Sequence, residues 1–275
     1  MLMTGIGVLA AASPVPKAWA EPAAPDTPPA PDAPPAVPPP EAATGTYLFQ
    51  DEFDGPHGSP PDYTKWIVQS WDDPVFPPIL SHYRDDRRNV FLDGNSNLVL
   101  CATQEGTDYF SGRIQSPVKL GIGTTWEARI KLESCMTPGC WAAFWLLNQE
   151  PLPDGEVDVF EWYGNRAWPP GTTVHAASNG KTWRGKSIPQ LVDAGWHNWR
   201  CRWDEAGFRF WRDYVDGAEP YFSVPAAPIN GRWPFNQPGY PMFPILNLAV
   251  GGSGGGDPSM ATFPAVMLVD WIRAW

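Results

Sequence analysis

The sequence predicts an all-β sandwich. Helical periodicity is nearly absent from its 275 residues. Short stretches rich in β-branched and aromatic residues recur instead, separated by turn pairs such as Asp93-Gly94, Asp154-Gly155 and Asp216-Gly217. Many short strands within one long domain imply two packed sheets.

Before the strands comes a leader. Residues 1–20 read as an export signal: 1–12 are apolar and Ala18-Trp19-Ala20 fits a small-x-small cleavage site. The run is too short to span a bilayer, and its missing basic region places the expected start upstream. Residues 21–43 are mostly Pro, Ala, Asp and Glu, which cannot bury a core and predict an extended tether at a cell surface or wall. Residues 44–275 then form one domain, of a length that single all-β domains reach. Its alternating segments predict strands at 97–103, 125–132, 141–147, 157–162, 173–177, 196–203, 208–214, 243–250 and 266–275.

A formal net charge of -11 argues against nucleic acid and anionic membranes as partners and suits a secreted monomer acting on a neutral polymer. The 16 tryptophans point the same way, since indole faces suit the C–H faces of sugars. Four cysteines fit an exported protein. Cys135 and Cys140 bracket a short turn that a disulfide could close, which leaves Cys101 and Cys201 as the second pair. His57, His82, His175 and His197 lack the paired spacing of a zinc site.

The chemistry concentrates in Glu156-Val157-Asp158-Val159-Phe160-Glu161. Strict alternation puts Glu156 and Asp158 on one face and Glu161 on the other. One extra residue, a β-bulge after Asp158, brings all three carboxylates together, and such bulges cluster beside active sites. Three like charges on one face repel and gain nothing for folding. They suit glycoside hydrolysis, where one carboxylate attacks the anomeric carbon and a protonated one serves the leaving oxygen, about 5–5.5 Å apart in retaining enzymes. The Cα atoms of Glu156 and Glu161 would stand roughly 13 Å apart along the strand, so only a concave sheet lets the long arms converge. Asp158 between them can hold the glutamates in different protonation states.

This pattern resembles the bulged E-x-D-x-x-E signature of glycoside hydrolase family 16. The likeness runs from about Thr46 to Trp275, through Phe49-Gln50-Asp51-Glu52-Phe53-Asp54-Gly55, Asn89-Val90, Ser111-Gly112-Arg113-Ile114, Gly139-Cys140-Trp141-Ala142-Ala143-Phe144-Trp145, Ile245-Leu246-Asn247-Leu248 and Val269-Asp270-Trp271-Ile272-Arg273. It implies a concanavalin A-like jelly roll of two antiparallel sheets, with the concave sheet forming a substrate cleft.

The resemblance also implies roles. Glu156 is the nucleophile, Glu161 the general acid and then base, and Asp158 hydrogen-bonds the nucleophile. Arg113, Asn89 and Asn247 match positions near the sugar. A structural calcium would sit on the side away from the cleft, at Glu52, the Gly94 carbonyl and Asp270; catalysis itself needs no cofactor. From the residues alone, Trp141 and Trp145 share one face as sugar platforms or core, His175 lies near the acids, and Trp183 occupies a polar loop where an exposed ring suits a ligand. The resemblance favours β-1,3-glucan, as in laminarinases. Galactans, transglycosylation of the producer's own wall, and glucan binding without catalysis stay open alternatives.

Overall fold

The computed structural model describes residues 46–70, 79–149, 154–178, 182–190, 192–229 and 231–275. The leader and tether, 1–43, lie outside them. Strands in chain order are β1 (Phe49–Asp51), β2 (Ile67–Val68), β3 (Ser81–Tyr83), β4 (Val90–Leu92), β5 (Leu98–Glu105), β6 (Asp108–Ser111), β7 (Arg113–Gln115), β8 (Thr125–Lys131) and β9 (Cys140–Leu147). They continue as β10 (Gly155–Tyr163), β11 (Gly171–Ser178), β12 (Thr182–Pro189), β13 (Trp196–Asp204), β14 (Gly207–Arg212), β15 (Phe222–Pro225), β16 (Phe243–Val250) and β17 (Ala265–Ala274). Among the described residues, α-helix is confined to the single turn α1 (Gly252–Gly255). No helix of the described residues is long and apolar enough to cross a membrane.

These strands form two sheets. The larger is ordered β15-β14-β13-β8-β17-β5-β6-β3, with β1 and β4 on its flanks; the smaller is ordered β12-β11-β10-β9-β16-β7-β2. Pairing is antiparallel throughout except between β3 and β6. Each predicted strand is present, most with an end shifted by a residue or two.

Alternation builds the core. Trp126, Ala128 and Ile130 of β8, and Trp199, Cys201 and Trp203 of β13, face inward from the larger sheet; Ala142, Phe144 and Leu146 of β9 meet them from the smaller. Phe160 stacks on Trp199 with ring centroids 4.3 Å apart, a contact that ties the β10 bulge to the opposite sheet.

The expected disulfides are absent: all four cysteines are buried free thiols. Cys101 on β5 and Cys201 on β13 are separated by β17 and β8. Three strand spacings alone separate them by about 14 Å, beyond the reach of an S–S bond. Cys135 and Cys140 both join the core as thiols, and burial pushes Cys140 up to about 12.

Candidate active site

The site grows from one irregularity in β10. Asp158 pairs with Thr173 of β11, but the next pair is Glu161 with Gly171, three residues against two. On the β9 side, Asp158 faces Trp145 and Phe160 faces Phe144. This is the expected bulge, and its physical cause is legible. Val157, Val159 and Phe160 are completely buried; two successive apolar residues must go inward, which returns Glu161 to the outer face.

Rows across the smaller sheet show what shares that face. One row runs Arg113, Asn247, Ala143, Glu161, from β7 through β16 and β9 to β10. The next holds Ile245, Trp145 and Asp158, and Glu156 lies opposite His175. A small apolar floor of Leu147, Phe243 and Ile245 packs with Trp145 beside the acids. Asp158 and Glu161 are only 3% and 7% exposed although they point away from the core. Walls therefore rise around them, and the outer face is a trough.

Burial dominates the electrostatics. It pushes Glu156 and Asp158 well above their usual carboxylate ranges, with mutual repulsion adding to it, and the two share a side-chain hydrogen bond. His175 brings Nε2 to 3.1 Å from Asp158 Oδ2. Burial also raises Glu161, opposed by hydrogen bonds from Tyr163 and Trp141. The Trp141 indole N–H donates to Oε1 at 2.9 Å and so pulls Glu161 down against that burial.

The remaining candidates divide. Trp145 is half-buried on the outer face, donates to Asn247 Oδ1 at 2.7 Å, and has the Arg113 guanidinium 5.4 Å from its ring centre. These three form one unit beside the acids. Trp141 shares that face but is covered on one side by the glycine turn α1. A Cβ on Gly254 would lie 2.4 Å from the indole, so only glycine permits this seat. Trp141 is a wall and a donor more than an open platform.

Asn89 is a correction. It is completely buried and gives its amide to the Cys101 carbonyl at 2.8 Å and Thr103 Oγ1 at 3.1 Å. Its NH2 group is spent on fastening the chain beside β5, and the side chain is closed off from the surface. Trp183 lies on β12 opposite Ala177, in a strand and not the expected loop; its side chain lies outside the described residues.

The calcium candidates are engaged otherwise. Glu52 accepts from Arg273 through both oxygens, at 2.8 and 2.7 Å, and Asp270 pairs with Arg129. Gly94 stands at φ 85 in a turn that the Asp93 side chain closes onto Asn95 and Asn97. An ion drawing on these carboxylates would compete with two guanidinium groups.

Sequence reasoning missed Tyr163 and Trp168. The Tyr163 hydroxyl donates to Glu161 Oε2. Its signal was available: it lies two residues beyond Glu161 and so shares its face. Trp168 is 48% exposed and meets Tyr163 edge-on at 5.4 Å. The Asn165 side chain, which accepts from the backbone N–H groups of Ala167 and Trp168, sets its loop.

A two-sheet β-sandwich carrying clustered carboxylates among exposed and half-exposed indoles is the architecture of the polysaccharide-directed glycosidases. Residues 82–273 match Glycosyl hydrolases family 16, and the chain belongs to that family. It is 28% identical to the glucan endo-1,3-β-glucosidase A1 of Niallia circulans, over 86% of this chain but only 38% of that protein. Its structure is similar to a β-1,3-glucanase of Mycobacterium marinum, 56% identical with a TM-score of 0.75, over 84% of this chain and 100% of that one. It is also similar to an immunostimulatory antigen and pseudo β-1,3-glucanase of Mycobacterium tuberculosis, 56% identical with a TM-score of 0.77, over 84% and 99%.

Proposed function

We propose that this exported domain hydrolyses β-1,3-glucan internally and with retention. Glu156 attacks the anomeric carbon, and Glu161 protonates the leaving oxygen and later activates water. Asp158 shares its proton with Glu156, so the nucleophile can be charged while the pair keeps a single proton. His175, opposite Glu156 in register and 3.1 Å from Asp158, supports that shared state. The Trp145, Asn247 and Arg113 unit supplies an apolar ring with polar edges on which a pyranose can rest.

One observation carries this reading: a bulge returns Glu161 to the face that already holds Glu156 and Asp158. The test is product analysis on laminarin, lichenan and agarose, with the anomer of the first product read by NMR. Short oligosaccharides from laminarin, released first as the β-anomer, are expected. Cleavage of agarose alone would reassign the sugar, and lengthened products would indicate transglycosylation. Recovery of the mature domain in culture filtrate tests export.

A second reading, glucan binding without turnover, has its own support. A solved relative carries the name pseudo β-1,3-glucanase, and both oxygens of Glu161 accept hydrogen bonds from neutral donors. Laminarin binding by calorimetry with no reducing-sugar release would establish it.

A further inference from the structure

Glu161 is gripped by two donors from two elements. Trp141 on β9 gives its indole N–H to Oε1 at 2.9 Å, and Tyr163 on β10 gives its hydroxyl to Oε2. An indole N–H cannot accept, so Oε1 stays an acceptor in every protonation state. A proton on Glu161 belongs on Oε2, where it meets the Tyr163 oxygen. The proton needed at the leaving group is therefore in competition with the phenol.

Both donors are braced. The α1 turn packs against Trp141, with no room for a Cβ at Gly254. The Tyr163 ring lies between Trp141, at 6.1 Å, and Trp168, at 5.4 Å. Few other charges intervene among the described residues. Glu156 and Asp158 face Glu161 from its own strand and His175 from β11. β9, β16 and α1 contribute no charged side chain. Arg113 lies three strands away, behind Ala143 and Asn247, and Arg166 is exposed in the loop beyond Tyr163.

Resting on the hydrolase reading above, we infer that Tyr163 is a positioning residue for the general acid. Its hydroxyl stabilises the charged form of Glu161 relative to the protonated one and so lowers the pH above which Glu161 has no proton to donate. Trp141 supports the same state from the other oxygen, and Trp168 holds the phenol in place. The pattern of shifts agrees: burial alone would raise Glu161 further, and these two hydrogen bonds pull it back.

The test substitutes Tyr163→Phe in the full chain, removing one oxygen and keeping the ring. Carboxyl ¹³C NMR, with the Glu161 signal identified from Glu161→Gln, reads the Glu161 midpoint without substrate. It is expected to rise by about one pH unit or more, the effect of losing a hydrogen bond to a charged group. On laminarin the alkaline limb of the pH–rate profile should move up by the same amount. An unchanged midpoint, or a drop in kcat/KM equal at every pH, overturns the proposal. The NMR titration works even if the protein turns over no glucan, so failure of the hydrolase reading is told apart from failure of this one. If Tyr163→Phe does not fold, Tyr163→Leu supplies the donor-free state, and Trp141→Phe should move the midpoint in the same direction by less.

Discussion

Each sheet buries acids on its outer face, and it treats them in opposite ways. In the larger sheet Glu127 is 1% exposed, but Arg200 from β13 and Arg273 from β17 lie directly opposite it in register. Arg200 donates to Glu127 at 2.8 Å and stacks on Tyr214 at 3.8 Å; Arg273 reaches on to Glu52. Charges alternate along this row. In the smaller sheet Glu156, Asp158 and Glu161 have, among the described residues, only His175 beside them as a potential cation. The first arrangement holds a fold together. The second accepts a cost in stability that folding alone does not explain.

The largest effect should follow from breaking the second arrangement. Glu156→Gln is expected to reduce glucan hydrolysis to background, with azide restoring turnover as a glycosyl azide; undiminished release of reducing sugar would refute the assignment. Glu161→Gln should cost about 10²–10⁴-fold in kcat on unactivated glucan. Breaking the first arrangement should act on stability instead. Glu127→Gln leaves the buried Arg200 guanidinium without its charged partner and is expected to cost about 3–5 kcal/mol in denaturant unfolding. A loss below about 1 kcal/mol would mean that the two regions do not differ as described.

Gly254→Ala sharpens the comparison within the trough. It drives the Trp141 indole away from Glu161, and misplacement of this order costs up to about 10²-fold in kcat, visible in steady-state kinetics. The pH dependence of stability comes next. Glu156, Asp158 and Glu161 are all raised above 4.5, 3.8 and 4.5 respectively, so the folded protein holds more protons than the unfolded chain. Their stabilising contribution is complete below about pH 4 and is lost as pH rises through the folded-state values. Melting temperature followed upward from pH 4 should fall less steeply for the Glu156→Gln, Asp158→Asn, Glu161→Gln triple variant. An identical slope would show that the trio bears no such strain. Calcium is expected to matter least. Because Arg273 and Arg129 already engage Glu52 and Asp270, calcium added after chelation should raise the melting temperature by less than Glu127→Gln lowers it. A larger rise, abolished by Asp270→Ala, would place an ion there.

Local signals made much of this legible. The bulge could be deduced from Val157, Val159 and Phe160, because three apolar residues among three acids satisfy both faces of a strand only with one residue inserted. The pairing of Trp141 with Trp145 followed from period two. Other features were out of reach. Asn89 sits in a segment like those of sugar-binding relatives, yet the Cys101 carbonyl and Thr103 take its amide, and only the pairing of distant strands reveals that. The cysteines invited bridges by spacing, whereas sheet order puts two intervening strands between Cys101 and Cys201.

By itself, then, the sequence determined the periodicity of its strands and the one place where that periodicity fails, since both are properties of neighbouring residues on a pleated chain. Tertiary structure decided which acids would be compensated and which donors would hold Glu161. Those outcomes depend on Arg200 meeting Glu127, 73 residues away, and Trp141 meeting Glu161, 20 residues away, across paired strands. Hydrogen bonds and buried charges are set by such encounters, and no local pattern encodes them.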